Sequence, residues 1–300
     1  MKSILLIVNP KSGLGISKKI LPQIIQEFQK ANFKLKIIES NYKGHIETIV
    51  SNIEIKGYLS CCIIGGDGSM HEAINGMINR IDNTKIPLSL IPAGSGNSLA
   101  RDLKIIDYKH AIKSIINGST KSMDISEISY NEKKIYSFNI IGWGMIAKIG
   151  MNSERYRWLG TSRYTIFSLI ELIFKKVRKI NLEFIDNNNK KLIIKTNLLF
   201  LSISNTIHTG KGMKIAPHAN INDGFLDLIY IKDTSRFKLL FLLPKLFSGK
   251  HINDSKVKSH KITEINLLEN EGSKLLIDGE IKGMTPLKVK ILKGYIDIIR

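Results

Sequence analysis

The stretch LSCCIIGGDGSMHEAINGMIN, residues 59–79, changes its period half-way, and that change decides the fold. LSCCIIGG (59–66) is a short continuous apolar run, the pattern of a strand buried on both faces. From about Ser69 to Asn79 the spacing is helical, and the Gly-rich turn GGDGS (65–69) separates the two. The same unit recurs on either side. KSILLIV (2–8) runs into NPKSGLG (9–15) and a helical pattern near 16–30, and LSLIP (88–92) runs into PAGSGN (92–97). KLKIIES (34–40) reads as a further strand, and GHIETIVSNIE (44–54) has helical spacing at Ile46, Ile49, Val50 and Ile53. Alternation of this kind implies an α/β domain with a parallel sheet covered by helices on both faces.

In such a sheet the ligand crevice lies at the carboxyl ends of the strands, where all three Gly-rich turns fall. Glycine lets backbone N–H groups approach phosphate oxygens, and a following helix N-terminus favours negative charge. The chain has neither a GxxxxGK[ST] nor a GxGxxG sequence, so the phosphate site is of another kind. Asp67, set between glycines, has two readings. It can accept a hydroxyl proton or organise magnesium during phosphoryl transfer, or it can cap the helix that follows.

From about Met123 short strands take over: MDISEISY, KIYSFNIIGWG, INLEFID, KLIIKTNLLFLSISN, FLDLIYI, EINLLEN, KLLIDGE and LKVKILKG, broken by turns such as DNNNK (186–190) and NEGSK (270–274). The expectation is an α/β domain over 1–122 and a β-sandwich over 123–300, interrupted by a helical insertion near 161–178. Within that insertion Ile166, Leu169, Ile170, Ile173, Phe174 and Val177 share one stripe, ahead of Lys175, Lys176, Arg178 and Lys179. FKLLFLLPKLFSGK (237–250) is a second apolar segment flanked by lysines. Each reads either as a core-facing helix or as an element that meets lipid.

Bulk composition narrows the class. The 300 residues are 43% hydrophobic, with no run near the ~18–20 apolar residues of a membrane span, and the first apolar run ends after five residues at Asn9–Pro10. A cytoplasmic location is expected. Cys61 and Cys62 are neighbours on a strand and point to opposite faces, which suits neither a disulfide nor a metal site. Net charge is +19, from 45 Lys and Arg against 26 Asp and Glu, which fits a polyanionic partner but also a composition rich in Ile, Lys and Asn. No RNP, zinc-finger or helix-turn-helix pattern accompanies the charge, so nucleic acid is not an expected partner.

NPKSG, GGDGSMHEAINGM, PAGSGNSLARDL, FNIIGWGMIAKI, DGFLDL and LLIDGE, in this order from Asn9 to Glu280, resemble the signature of the diacylglycerol kinase catalytic-domain family. Diacylglycerol, sphingosine and bacterial lipid kinases share it. The resemblance implies ATP and magnesium as cofactors, a lipid substrate, peripheral contact with an anionic membrane, homodimers among the expected states, and an active site in an interdomain cleft. Asn9, Pro10 and Lys11 match the first nucleotide-contacting turn, and Ser40 stands where the family often has a nucleotide-contacting Thr. Gly65, Gly66, Asp67, Gly68 and Ser69 match the GGDG loop, Glu72 a nearby nucleotide-site carboxylate, and Gly94, Ser95 and Gly96 the second phosphate loop. Asp278, Gly279 and Glu280 match the C-terminal DGE. The resemblance makes Asp67 the first candidate for the catalytic base and Glu280 the second. The carbonyls of Asn220 and Phe225, with Asp223, match a structural magnesium loop of bacterial members.

Motif detail, including SERYRWLG (153–160), resembles the sphingosine kinase branch, where Arg157 and Arg163 match residues that contact nucleotide phosphates. Lys148 and Gly150 depart from it. That branch usually has acids at both positions, the second of which recognises the sphingoid head group. A lysine there repels an ammonium, so a neutral or anionic lipid hydroxyl is expected rather than sphingosine. Two other readings stand beside the lipid kinase: an NAD kinase-like enzyme with a soluble substrate, since NAD kinases share a GGDG loop, and a non-catalytic basic module that binds membrane or nucleic acid.

Overall fold

A computed structural model describes residues 2–160, 162–210, 212–269 and 272–300. The chain forms two compact units, Met1–Met123 with Gly294–Arg300, and Asp124–Lys293.

The first unit runs β1 (Lys2–Val8), α1 (Ile16–Lys30), β2 (Phe33–Glu39), α2 (His45–Asn52), β3 (Tyr58–Gly65), α3 (Asp67–Ile78), β4 (Leu88–Pro92), α4 (Ser98–Asp102) and α5 (Tyr108–Asn117). The strands lie in the order β2–β1–β3–β4, every pair parallel, so the carboxyl ends of β1, β3 and β4 sit side by side. Ile4 to Val8 and Cys61 to Ile64 are fully buried, as continuous apolar strands between two helical layers must be. Burial pushes both thiols up, Cys62 to about 12, so they behave as small apolar residues. The helices stop for local reasons: Asp107 accepts the His110 N–H at 2.8 Å to open α5, and Gly118, at φ +70°, closes it.

The second unit contains β5 (Thr120–Tyr130, shared with the first), β6 (Lys133–Ser137), β7 (Ile140–Gly144), α6 (Met145–Arg155), α7 (Ser162–Ile173), β8 (Arg178–Asp186) and β9 (Lys191–Ser204). The short β10 (His208–Thr209) and β11 (Met213–Lys214) follow, then β12 (Leu226–Lys232), α8 (Arg236–Ser248), β13 (Val257–Leu268), β14 (Lys274–Ile277), β15 (Glu280–Met284) and β16 (Leu287–Ile299). Its pairings are antiparallel, β15–β14–β7–β9–β12–β13–β16, with β8 against both β9 and β13. Trp143, Phe184, Leu201, Leu228, Ile265 and Ile277 belong to its main core. A second cluster, around Leu172, Phe200, Ile229 and Leu239, lies under α7 and α8.

Three expectations change. The 123–300 assignment gives the whole C-terminus to the second domain, whereas Ile298 and Ile299 pair in parallel with Leu88 and Ser89 and return the tail to the first unit. KIYSFNIIGWG is two strands, because the N–H groups of Phe138, Asn139 and Ile140 turn to the Asp278 carboxylate instead of a neighbouring strand. The insertion near 161–178 is helical only to Ile173, Arg178 already begins β8, and α6 and α8 are further helices. Thr161 lies outside the described residues.

Candidate phosphate-binding site

Side chains and backbone lock the three Gly-rich turns of the first unit together. Asn9 begins where β1 ends: its N–H bonds to the Ile64 carbonyl at 3.0 Å. Its Nδ2 donates to Ser69 Oγ at 2.9 Å, joining the first turn to α3. Its Oδ1 accepts the Lys11 N–H at 3.1 Å, which shapes the turn after Pro10. Ser12 Oγ donates to the Ala93 carbonyl at 3.2 Å, joining the first turn to the third. A Cβ on Gly94 would stand 2.5 Å from Gly66 Cα, so only glycines let these two backbones meet. Asn97, at φ +51°, holds the third turn by accepting from Gly94 N at 2.9 Å and donating to Gly94 O at 2.8 Å.

α3 starts at Asp67, and no side chain caps Gly66. The first N–H groups of this 12-residue helix have no intrahelical acceptor and carry the positive end of the helix dipole. Beside them Gly68 has no atom within 4 Å of where a Cβ would be. Open space at Gly68, at the N-terminus of a helix and beside the Asn9 and Gly94 turns, is the geometry that takes a phosphate.

Asp67 caps a helix, but not the one it begins. Its Oδ2 accepts from Ser98 N at 2.9 Å and its Oδ1 from Leu99 N at 3.2 Å, so it anchors the start of α4. Glu72 works similarly at a distance, its two oxygens accepting from Gly44 N at 2.9 Å and Ile46 N at 3.1 Å to cap α2. Ser40 is buried, and its N–H continues the β1–β2 ladder to the Val8 carbonyl at 2.8 Å. Ser95 and Gly96 lie in the turn between β4 and α4.

In the second unit Asp278 and Gly279 form the two-residue turn between β14 and β15, with φ +48° and +89°. Asp278 is buried. Its Oδ1 accepts from Ser137 Oγ (2.7 Å), Asn139 N (3.0 Å) and Ile140 N (3.1 Å), and its Oδ2 from Phe138 N (3.1 Å). Glu280 opens β15, partly exposed, 2.8 Å from Lys282 Nζ. Asn220, Asp223 and Phe225 lie in the loop before β12, where Asp223 Oδ1 accepts from Phe225 N at 3.0 Å.

Family models match both units: residues 3–128 match the diacylglycerol kinase catalytic domain, and residues 139–300 a YegS C-terminal, NAD kinase beta sandwich-like domain. The chain belongs to the diacylglycerol kinase family of lipid kinases. Among its relatives is a diacylglycerol kinase of Bacillus subtilis, 28% identical over 100% of this chain and 96% of that protein. Sphingosine kinase 1 of Arabidopsis thaliana is 29% identical over 84% of this chain, which spans only 61% of that longer protein. A crystal structure of a diacylglycerol kinase from Bacillus anthracis superposes with a TM-score of 0.75 at 20% identity, over 99% of this chain and 96% of that one.

The remaining residues that the kinase resemblance singles out fall on α6, α7 and the turn between them. Arg157 opens a short 3₁₀ turn, and its side chain lies outside the described structure. Arg163, in the first turn of α7, stacks 4.9 Å above the Tyr164 ring. Lys148 faces Glu171 of α7 at 3.6 Å, so its charge is balanced. Gly150 packs against Leu276, 2.5 Å from where its Cβ would be, and serves helix packing. The lysine expected to repel an ammonium is thus paired with a carboxylate. Asn97 and Glu171 carry site geometry that sequence reasoning missed. Asn97 stood inside the quoted PAGSGN but gives no sign of its left-handed backbone, and Glu171 lies hidden in an apolar helix.

Proposed function

We propose that this kinase transfers the γ-phosphoryl group of ATP to the hydroxyl of an uncharged long-chain lipid such as diacylglycerol. The observation that carries the reading is the N-terminus of α3, with open space at Gly68 and the Asn9 and Gly94 turns beside it. The substrate oxygen attacks the γ-phosphorus, its proton passes to a carboxylate, and ADP leaves. Both oxygens of Asp67 already accept the N–H groups that open α4, and Glu280, partly exposed after the β14–β15 turn, is the second carboxylate that the family match supplies. Glu280 is therefore assigned the proton, and Asp67 the shaping of the phosphate loops. Among the described residues no group of three or more His, Cys, Asp or Glu could hold a metal. Magnesium would accordingly sit on the nucleotide phosphates with at most one or two carboxylates, neutralising charge there.

A neutral head group fits the residues at the two positions that the resemblance gives to the substrate better than an ammonium does. Lys148 neutralises Glu171, and Gly150 supplies no carboxylate. Access from a bilayer has its own support. No helix among the described residues is long and apolar enough to cross a membrane. Yet Trp158, Phe174, Phe237 and Phe241, on and beside the mutually packed α7 and α8, are 71–78% exposed, among Lys176, Arg236 and Lys238. Of the stripe with two readings, core-facing or lipid-meeting, Ile166, Leu169, Ile173 and Phe174 are exposed and Ile170 and Val177 half-buried, while Phe167 and Leu172 point inward. Aromatic residues ringed by cations suit an anionic lipid surface.

The experiment is phosphorylation of diacylglycerol, ceramide, phosphatidylglycerol and sphingosine by purified protein with labelled ATP and magnesium, together with Glu280→Gln and Asp67→Asn. Label in diacylglycerol is expected. A loss in kcat of on the order of 10²-fold or more is expected for Glu280→Gln with its fold intact. Sphingosine as the preferred acceptor would overturn the substrate, and full turnover by Glu280→Gln the base.

A further inference from the structure

The loop that resembles a magnesium site already holds a cation of its own. Lys261 of β13 stands directly across from Asp227 of β12 in the antiparallel ladder, and that register carries its side chain over the 218–225 loop. Its Nζ lies 2.6 Å from Asp223 Oδ2, 3.1 Å from Asp227 Oδ2 and 3.2 Å from the His218 carbonyl. An ammonium has three N–H donors, and here it has three acceptors, two in the loop and one on β12.

The acceptors have little other use. Asp227 is 3% exposed. The rest of the loop is tied by backbone: Asp124, fully buried, accepts the Gly224 N–H at 2.6 Å, and its own N–H reaches the Ile221 carbonyl at 2.6 Å. A divalent ion on the Asp223 carboxylate would sit against the Lys261 ammonium, 2.6 Å from Oδ2, and meet its repulsion. Asn220, Asp223 and Phe225 therefore do not fit a metal site while Lys261 is in place.

We propose that the Lys261 ammonium is the structural cation of the 218–227 loop in this chain, so that the loop is ordered without a divalent metal. Any magnesium requirement then belongs to the nucleotide, and the two dependences separate.

The test reads metal content and thermal stability without nucleotide or lipid, so it does not depend on the kinase reading. Wild-type protein should carry well under one divalent ion per chain after dialysis and unfold at the same midpoint in EDTA and in magnesium. Lys261→Met keeps the stem but leaves two carboxylates facing each other without a cation. Its midpoint in EDTA should fall by a few degrees, as one partner of a half-buried cluster is lost, and rise again when magnesium is added. Lys261→Arg, which keeps the charge, should remain insensitive to EDTA even if Lys261→Met does not fold. A stoichiometric metal in wild type, a wild-type midpoint lowered by EDTA, or a Lys261→Met variant unaffected by EDTA would each overturn the proposal.

Discussion

Replacing Asp278 by Asn takes the charge from a buried carboxylate that accepts four hydrogen bonds, and the cost follows from the geometry. With the amide oxygen at the Oδ1 position, the bonds from Ser137 Oγ, Asn139 N and Ile140 N survive in neutral form. The amide nitrogen then faces Phe138 N–H, 3.1 Å away, donor against donor. Losing a bond to a charged acceptor costs about 1.5–3 kcal/mol, and three charge-assisted bonds weaken towards neutral strength. The sum is about 2–5 kcal/mol. Urea unfolding followed by circular dichroism should show a lower midpoint at unchanged slope. Exposed Asp297→Asn, as control, should stay within about 0.5 kcal/mol of wild type. Because the turn aims Glu280, kcat should drop even at temperatures where the variant is fully folded. A stability change under about 0.5 kcal/mol would refute the four-bond geometry and the positioning role with it.

Three other outcomes follow from the same structure. Gly68→Ala fills space that nothing in the protein occupies and suits a helix better, so stability should hold or rise by about 0.5–1 kcal/mol while KM for ATP increases; unchanged ATP kinetics would move the phosphate elsewhere. Lys148→Met uncovers Glu171 and should narrow the gap in kcat/KM between diacylglycerol and sphingosine by roughly tenfold, the scale of one ammonium–carboxylate contact; an unaltered ratio would remove this pair from specificity. His251 is buried with Nε2 3.1 Å from the Ile215 carbonyl, and burial lowers its pKa below the ordinary histidine value. The unfolded chain therefore binds more protons below about pH 6.5, and stability should fall as pH drops through the window beneath it. His251→Gln should flatten that limb, leaving the same-signed contribution of His260, whose pKa burial also lowers.

The first unit was legible because its signals are local. Each apolar run that ends in glycines became a strand, and α1, α2 and α3 started within two residues of their expected positions, since period and turn chemistry are read from neighbours in sequence. The second unit was legible in kind but not in detail. Nothing near Phe138 announces that a carboxylate 140 residues later will break its strand. The same limit applied to the site. Gly65, Gly66 and Gly94 could be named from the turns, but the duty of Asp67 depends on Ser98 and Leu99, and that of Lys261 on a loop nearly forty residues away. Long-range hydrogen bonding assigns those roles, and no local pattern encodes it. Lys148 shows the converse: as a residue type it looked like a repulsive charge, and Glu171 cancels it.

The most direct measurement offers the enzyme both classes of acceptor at once: γ-labelled ATP and magnesium, mixed micelles containing diacylglycerol and sphingosine, and NAD in the aqueous phase. The label should appear in the phosphorylated neutral lipid, and should fall by about 10²-fold or more with Glu280→Gln. Label in phosphorylated NAD, or none in any lipid, would contradict the account.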